Sequence, residues 1–109
     1  MPFDTINMEQ ISKDRRKAIK ESIRTISVEE LKAIGEKIFP LMDNPWRDKF
    51  FNFISENAGS TFHYATTHDQ VQIIYCHTEN KGMWFLPGTG MGPMQPKGLA
   101  TLKQIVEGG

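Results

Sequence analysis

The sequence predicts an α+β fold with three N-terminal helices, a three-stranded antiparallel β-meander and a C-terminal helix, built as one domain over residues 1–109. Three observations lead there. Apolar residues recur at helical spacing through the first half of the chain. The period shortens to two between residues 60 and 86. A Gly/Pro-rich run at 87–96 then separates that alternation from a last helical stretch.

The first helix is expected from Met8 to Arg24. Asn7 and Gln10 form a capping-box pair at its start, and Met8, Ile11, Ala18, Ile19, Ser22 and Ile23 share one face. The second helix has the strongest start signal. Ser27 is the N-cap, and Glu30 lies three residues on, where it reaches back to the cap amide. Ile26 before the cap and Leu31 at the fourth helical position make a hydrophobic staple. Leu31, Ile34, Ile38 and Phe39 form its packing side, and Pro40 ends it. Asn44-Pro45 starts the third helix, a cap followed by proline at the first helical position. Trp46, Phe50, Phe53 and Ile54 share its apolar face, Phe51 flanks it, and Asn57-Ala58-Gly59 supply the stop.

Residues 60–67 and 70–78 read as strands joined by a two-residue turn at His68-Asp69. That turn sets Phe62 opposite Tyr75, Tyr64 opposite Ile73 and Thr66 opposite Val71, leaving His63, Gln72, Ile74 and Cys76 on the other face. Glu79-Asn80-Lys81-Gly82 fits a type I turn into a third strand, Met83 to Leu86. Both faces of that strand are apolar, so the sheet is expected to be covered on both sides, by the aromatic side of the third helix on one and in part by the last helix or a second subunit on the other. The run from Pro87 to Pro96 reads as a stiff loop, because its prolines and glycines suit neither a helix nor a central strand. The last helix covers about Lys97 to Val106, with Leu99, Leu102, Ile105 and Val106 inward.

Composition narrows the function classes. Thirteen basic residues balance thirteen acidic ones, ten of each by Glu56 and three of each after it, so no global charge favours nucleic acid or an anionic membrane. The single cysteine, Cys76, leaves no internal disulfide framework and fits a reducing compartment. The start, Met1-Pro2-Phe3-Asp4, lacks a secretory signal, and no apolar run is long enough to span a bilayer. A cytoplasmic protein is expected.

Four features carry chemistry. Gly88, Gly90 and Gly92 alternate ahead of Lys97 at a helix start, where exposed amides and a lysine favour an anion. The spacing is neither a Walker loop nor a dinucleotide fingerprint, and Pro93 and Pro96 remove donors. The plainer reading is a rigid crossover in which Met91 and Met94 plug the core. His63, His68, Asp69, Tyr75, Cys76 and His77 form a polar set on the sheet. Only His63 and Cys76 converge on one face, too few ligands for structural zinc, so no metal or cofactor is assigned. Lys13, Arg16, Lys17, Lys20 and Arg24 fall within about a third of a helical circumference. Such a stripe suits an acidic partner, and equally an ordinary solvated face. Helices followed by a hairpin also match the order of winged-helix DNA binders. The third helix, however, offers aromatics where base readers belong. Finally, the aromatics from Trp46 to Phe85 read as core, or as an apolar pocket into which polar groups point.

The sequence alone assigns no activity. The leading expectation is a non-enzymatic binding or accessory protein that meets a protein partner through the basic first helix and the loop 87–96. The alternative is a small-molecule binder or small enzyme. Its pocket lies between the sheet and that loop, with His63, Tyr64, Tyr75, His77 and Trp84 as candidates. Nucleic-acid binding through the first helix comes third. A sheet edge or face also offers a homodimer contact.

Overall fold

A computed structural model describes residues 11–38, 44–86 and 90–108. Among these the chain forms four helices and one five-stranded antiparallel sheet. The order is α1 (Lys13–Ser22), β1 (Arg24–Ile26), α2 (Val28–Ile38), α3 (Asn44–Glu56), β2 (Phe62–Thr66), β3 (Gln72–Cys76), β4 (Lys81–Leu86), β5 (Gly90–Pro93) and α4 (Pro96–Val106). Each strand pairs with its sequence neighbours, in the order β1-β2-β3-β4-β5. The cap at Asn7 and Gln10, the contacts of Met8, Ile38, Phe39 and Trp46, the stop at Pro40 and the position of Gly88 lie outside the described residues and side chains.

The α+β class agrees with expectation, whereas a strand, β1, separates the first two of the four helices and the sheet has five strands rather than three. The first added strand comes from the end of the first predicted helix. α1 stops at Ser22 because its hydroxyl takes over from backbone pairing. It donates to the Thr66 carbonyl and accepts from the Thr66 amide, both at 3.0 Å. Ile23 is already extended, and Arg24, Thr25 and Ile26 pair with Tyr64, His63 and Phe62. The second added strand is the middle of the Gly/Pro run. Gly90–Pro93 pairs with β4 as an edge strand, where proline's missing N–H is tolerated. Gly92 lies opposite Trp84, whose indole lies over it; a Cβ at Gly92 would sit 3.1 Å from Trp84 Nε1.

The β2–β3 register also differs from the expected one. Phe62 opposes Cys76, Tyr64 opposes Ile74 and Thr66 opposes Gln72. The turn holds three residues, 68–70, not two. The Thr67 amide donates to the Val71 carbonyl at 2.9 Å, and Gln70 takes φ +71°. This is a type I turn closed by a left-handed residue. The extra residue turns every β3 side chain to the opposite face. At the next connection the turn is His77 to Asn80, two residues earlier than expected, with Asn80 at φ +50°. Asparagine tolerates that conformation, so Gly82 is released into β4.

The faces sort accordingly. Ile26, Phe62, Ile74, Cys76 and Phe85 meet Leu31 of α2 and Phe50 and Ile54 of α3. Ala65, Ile73 and Tyr75 meet Ile19 of α1 and Leu102 and Ile105 of α4. Helices of the same chain thus cover both faces of the sheet. Ser27 caps α2, and the Glu30 carboxylate reaches back to the Ser27 hydroxyl at 3.5 Å rather than to its amide. The same hydroxyl accepts from the Glu30 amide at 3.1 Å, with Ile26 and Leu31 both buried beside it.

Gly35 lets α2 and α3 approach. A Cβ there would lie 2.6 Å from Cε2 of Phe50, which is fully buried against Phe51 and Phe85. Gly35→Ala should therefore lower stability although alanine favours a helix by about 1 kcal/mol. Overpacking of this kind costs about 1–3 kcal/mol, so a net loss near ~1 kcal/mol is expected in urea unfolding. A raised midpoint would show that the two helices are not in contact here.

Candidate functional site

A cavity of about 490 Å³ opens beside the edge of the sheet, between α3 and the β4–β5 pair. α3 supplies one wall through Lys49, Asn52, Phe53 and Glu56. Their spacing of three, four and seven residues places them in one stripe along the helix. β4 contributes Lys81, Gly82 and Met83, and β5 contributes Met91 to Pro93. Met94 and Leu99 complete the lining.

The axis of α3 is fixed by two aromatic contacts. Phe50 meets Phe85 edge-on with ring centroids 5.5 Å apart, and Phe53 meets Phe62 at 6.0 Å. Phe62 lies opposite Cys76, which lies opposite Lys81. α3 therefore runs antiparallel to β4, with Lys49 at the Phe85–Met91 end of the cavity and Glu56 at the Lys81 end. Gly82 permits the close approach at that second end. A Cβ there would meet the Ile74 carbonyl oxygen at 3.0 Å and Met94 Cγ at 3.1 Å, and the Met94 amide donates to the Gly82 carbonyl at 2.9 Å. The interior is thioether, phenyl and isobutyl; the rim carries two ammonium groups, one carboxylate and one amide.

The polar groups singled out from sequence do not line this cavity. The structure gathers three of them elsewhere, on the face covered by α1 and α4. His63 lies opposite Tyr75, and the Tyr75 hydroxyl lies 3.1 Å from His77 Nδ1 and 3.2 Å from Asn80 Oδ1, to which it donates. His77 Nε2 faces the Glu107 carboxylate at 3.6 Å. Tyr75 is 1% exposed, and its burial, then the Glu107 charge, push its phenol pKa up. His63 Nδ1 is buried without a hydrogen-bond partner among the described residues. Burial, followed by the His77 charge, holds its imidazole pKa below the usual 6.5.

Tyr64 faces the other way, a consequence of the register. Its hydroxyl donates to Gln72 Oε1, and the Arg24 guanidinium lies 5.7 Å from its ring centre. Trp84 shares a face with Tyr75 but lies opposite Ile73 and Gly92, against the α1/α4 core. Gly90 and Gly92 stand in the β4 ladder opposite Leu86 and Trp84, and Lys97 is exposed in the first turn of α4. Lys13, Arg16, Lys17 and Lys20 are exposed along α1. Arg24 leaves that stripe for β1, where it pairs with Glu30 at 3.3 Å. Cys76 is a buried free thiol opposite Phe62 in the core under α2 and α3, and no group of three or more His, Cys, Asp or Glu among the described residues is placed to hold a metal ion.

Lys49, Asn52, Glu56, Lys81 and Met83 were not among the sequence candidates for a site. The signal was present in part. Lys49 and Asn52 fall at helical spacing outside the apolar face of the third helix, and the methionines cluster around the Gly/Pro run. What pairs the stripe with those methionines is β5, whose glycines and prolines suit a loop when taken alone.

Compared with family models, curated proteins and solved structures, the chain matches none. Among the described residues no helix is long and apolar enough to cross a membrane.

His63 yields a pH prediction. The folded state binds its proton less tightly than the unfolded chain, so the unfolded chain takes up more protons just below pH 6.5. The neutral imidazole's contribution is fully present above pH 6.5 and is lost as pH falls towards the depressed value. Urea midpoints should decline over that window, and His63→Gln should flatten the decline. An unchanged slope in the variant would remove His63 as its source.

Proposed function

We propose that the protein is a small binding protein that takes a predominantly apolar small molecule into the cavity between α3 and the β4–β5 pair. The observation that supports this reading most is the lining itself. A cavity of about 490 Å³ walled by Phe53, Met83, Met91, Met94 and Leu99 is of the size and character of small-molecule sites. Three methionines give it a polarizable surface that adapts to its occupant. It lies against Met91 to Met94 of the Gly/Pro segment, and its polar groups are Lys49, Asn52, Glu56 and Lys81. Asn52→Trp should fill the mouth from an exposed position and leave the core intact. In NMR titrations with small apolar fragments, the native chain should show shifts at the Met83, Met91 and Met94 methyls, and the variant should lose them. Equal binding by the variant would move the site elsewhere.

A second reading keeps a protein partner at α1, supported by the exposure of Lys13, Arg16, Lys17 and Lys20 along one side of the helix. α1 packs on β2, and β5 lies three strands away, so this surface stands apart from the cavity. Reversing the charge at Arg16 and Lys20 should reduce partner recovery in a pull-down; undiminished recovery of the same partner would count against α1.

A further inference from the structure

Resting on the cavity reading above, we infer that the occupant is a short amphiphile with a single anionic head, held at Lys49, and an unbranched apolar body lying along α3 towards Lys81. Charge complementarity carries this. The rim holds Lys49, Lys81 and Glu56, a net charge of plus one, and no ion pair ties any of the three to another described residue. The charges are not evenly spread. Glu56 shares its end of the cavity with Lys81 of β4, where the two signs offset each other. Lys49 stands seven residues earlier on the same stripe, about 10 Å along the helix axis, and the cavity lining brings no carboxylate to its end. An ammonium group beside a low-dielectric thioether and phenyl surface attracts an anion more strongly than one in open water. The distance between the two ends suits a chain of about eight carbons, and the methionine side chains follow an unbranched body without requiring one shape.

The distinguishing feature is therefore the sign and place of the head group. It is tested on the full chain with three probes of one chain length: octanoate, octanol and octylamine. Titrations are followed at the methionine methyls by NMR, below the concentration at which octanoate forms micelles. Octanoate is expected to shift Met83, Met91 and Met94 and to bind at least fivefold more tightly than octanol, with octylamine weaker than octanol. Lys49→Gln should bring octanoate down to the octanol level and leave octanol unchanged. Lys81→Gln should keep octanoate ahead of octanol. Both lysines are exposed, and an unchanged circular dichroism spectrum shows that each variant folds. If octanol equals octanoate in the native chain, or if Lys49→Gln weakens octanoate no more than Lys81→Gln does, the anionic head is overturned while the cavity stands. If none of the three probes moves these methyls, the cavity reading falls and the inference falls with it.

Discussion

The hydrogen bonding of Thr67 sets the register between β2 and β3. Its amide donates to the Val71 carbonyl, its hydroxyl accepts from the Val71 amide at 3.0 Å, and the same hydroxyl donates to Asp69. These bonds enclose three residues between β2 and β3 and so decide which β3 side chains face α2 and α3. With this register Ile74 and Cys76 join Phe62 and Phe85 under Phe50 and Ile54, while Ile73 and Tyr75 turn towards α1 and α4. One residue fewer in the turn would exchange the two sets. Tyr75 and His77 would then leave His63, and Phe62 would lose its neighbours in the α3 core.

The same turn anchors α1. Asp69 accepts from both Nε and Nη2 of Arg15, at 3.2 and 2.8 Å. The Arg15 hydrogen bond, against some desolvation, holds the Asp69 carboxyl below its usual pKa. Asp69 is half exposed, so the pair contributes at most about 1 kcal/mol. Its effect is on placement. Together with the Ser22 hydroxyl on the Thr66 backbone, it sets the position of α1 at both ends, and burial of Ala18 and Ile19 supplies most of the cohesion.

Much of the fold was legible in the sequence where local chemistry is self-contained. Ser27 and Glu30 satisfy one another across three residues, so the start of α2 could be read without tertiary knowledge. The aromatic side of α3 followed from spacing alone. The missed elements draw their stability from distant partners. β1 is three residues long and exists because β2 is beside it; taken alone, Arg24 continues the helical stripe. β5 has poor strand propensity, and Gly92 is accepted there because the Trp84 indole fills the space a side chain would take. The β2–β3 register turned on Gln70 adopting a left-handed backbone, which no residue-type preference announces.

The candidate site follows the same division. The stripe of α3 was visible as periodicity, whereas the opposing wall requires β5 and the Gly82–Met94 contact. Because the cavity and the His63–Tyr75–His77 cluster lie where this register puts them, pairing between β2 and β3 is the most direct measurement. Cross-strand backbone NOEs in the free protein should link Phe62 with Cys76, Tyr64 with Ile74 and Thr66 with Gln72. NOEs linking Phe62 with Tyr75, Tyr64 with Ile73 and Thr66 with Val71 would instead place a two-residue turn at His68-Asp69 and turn β3 over.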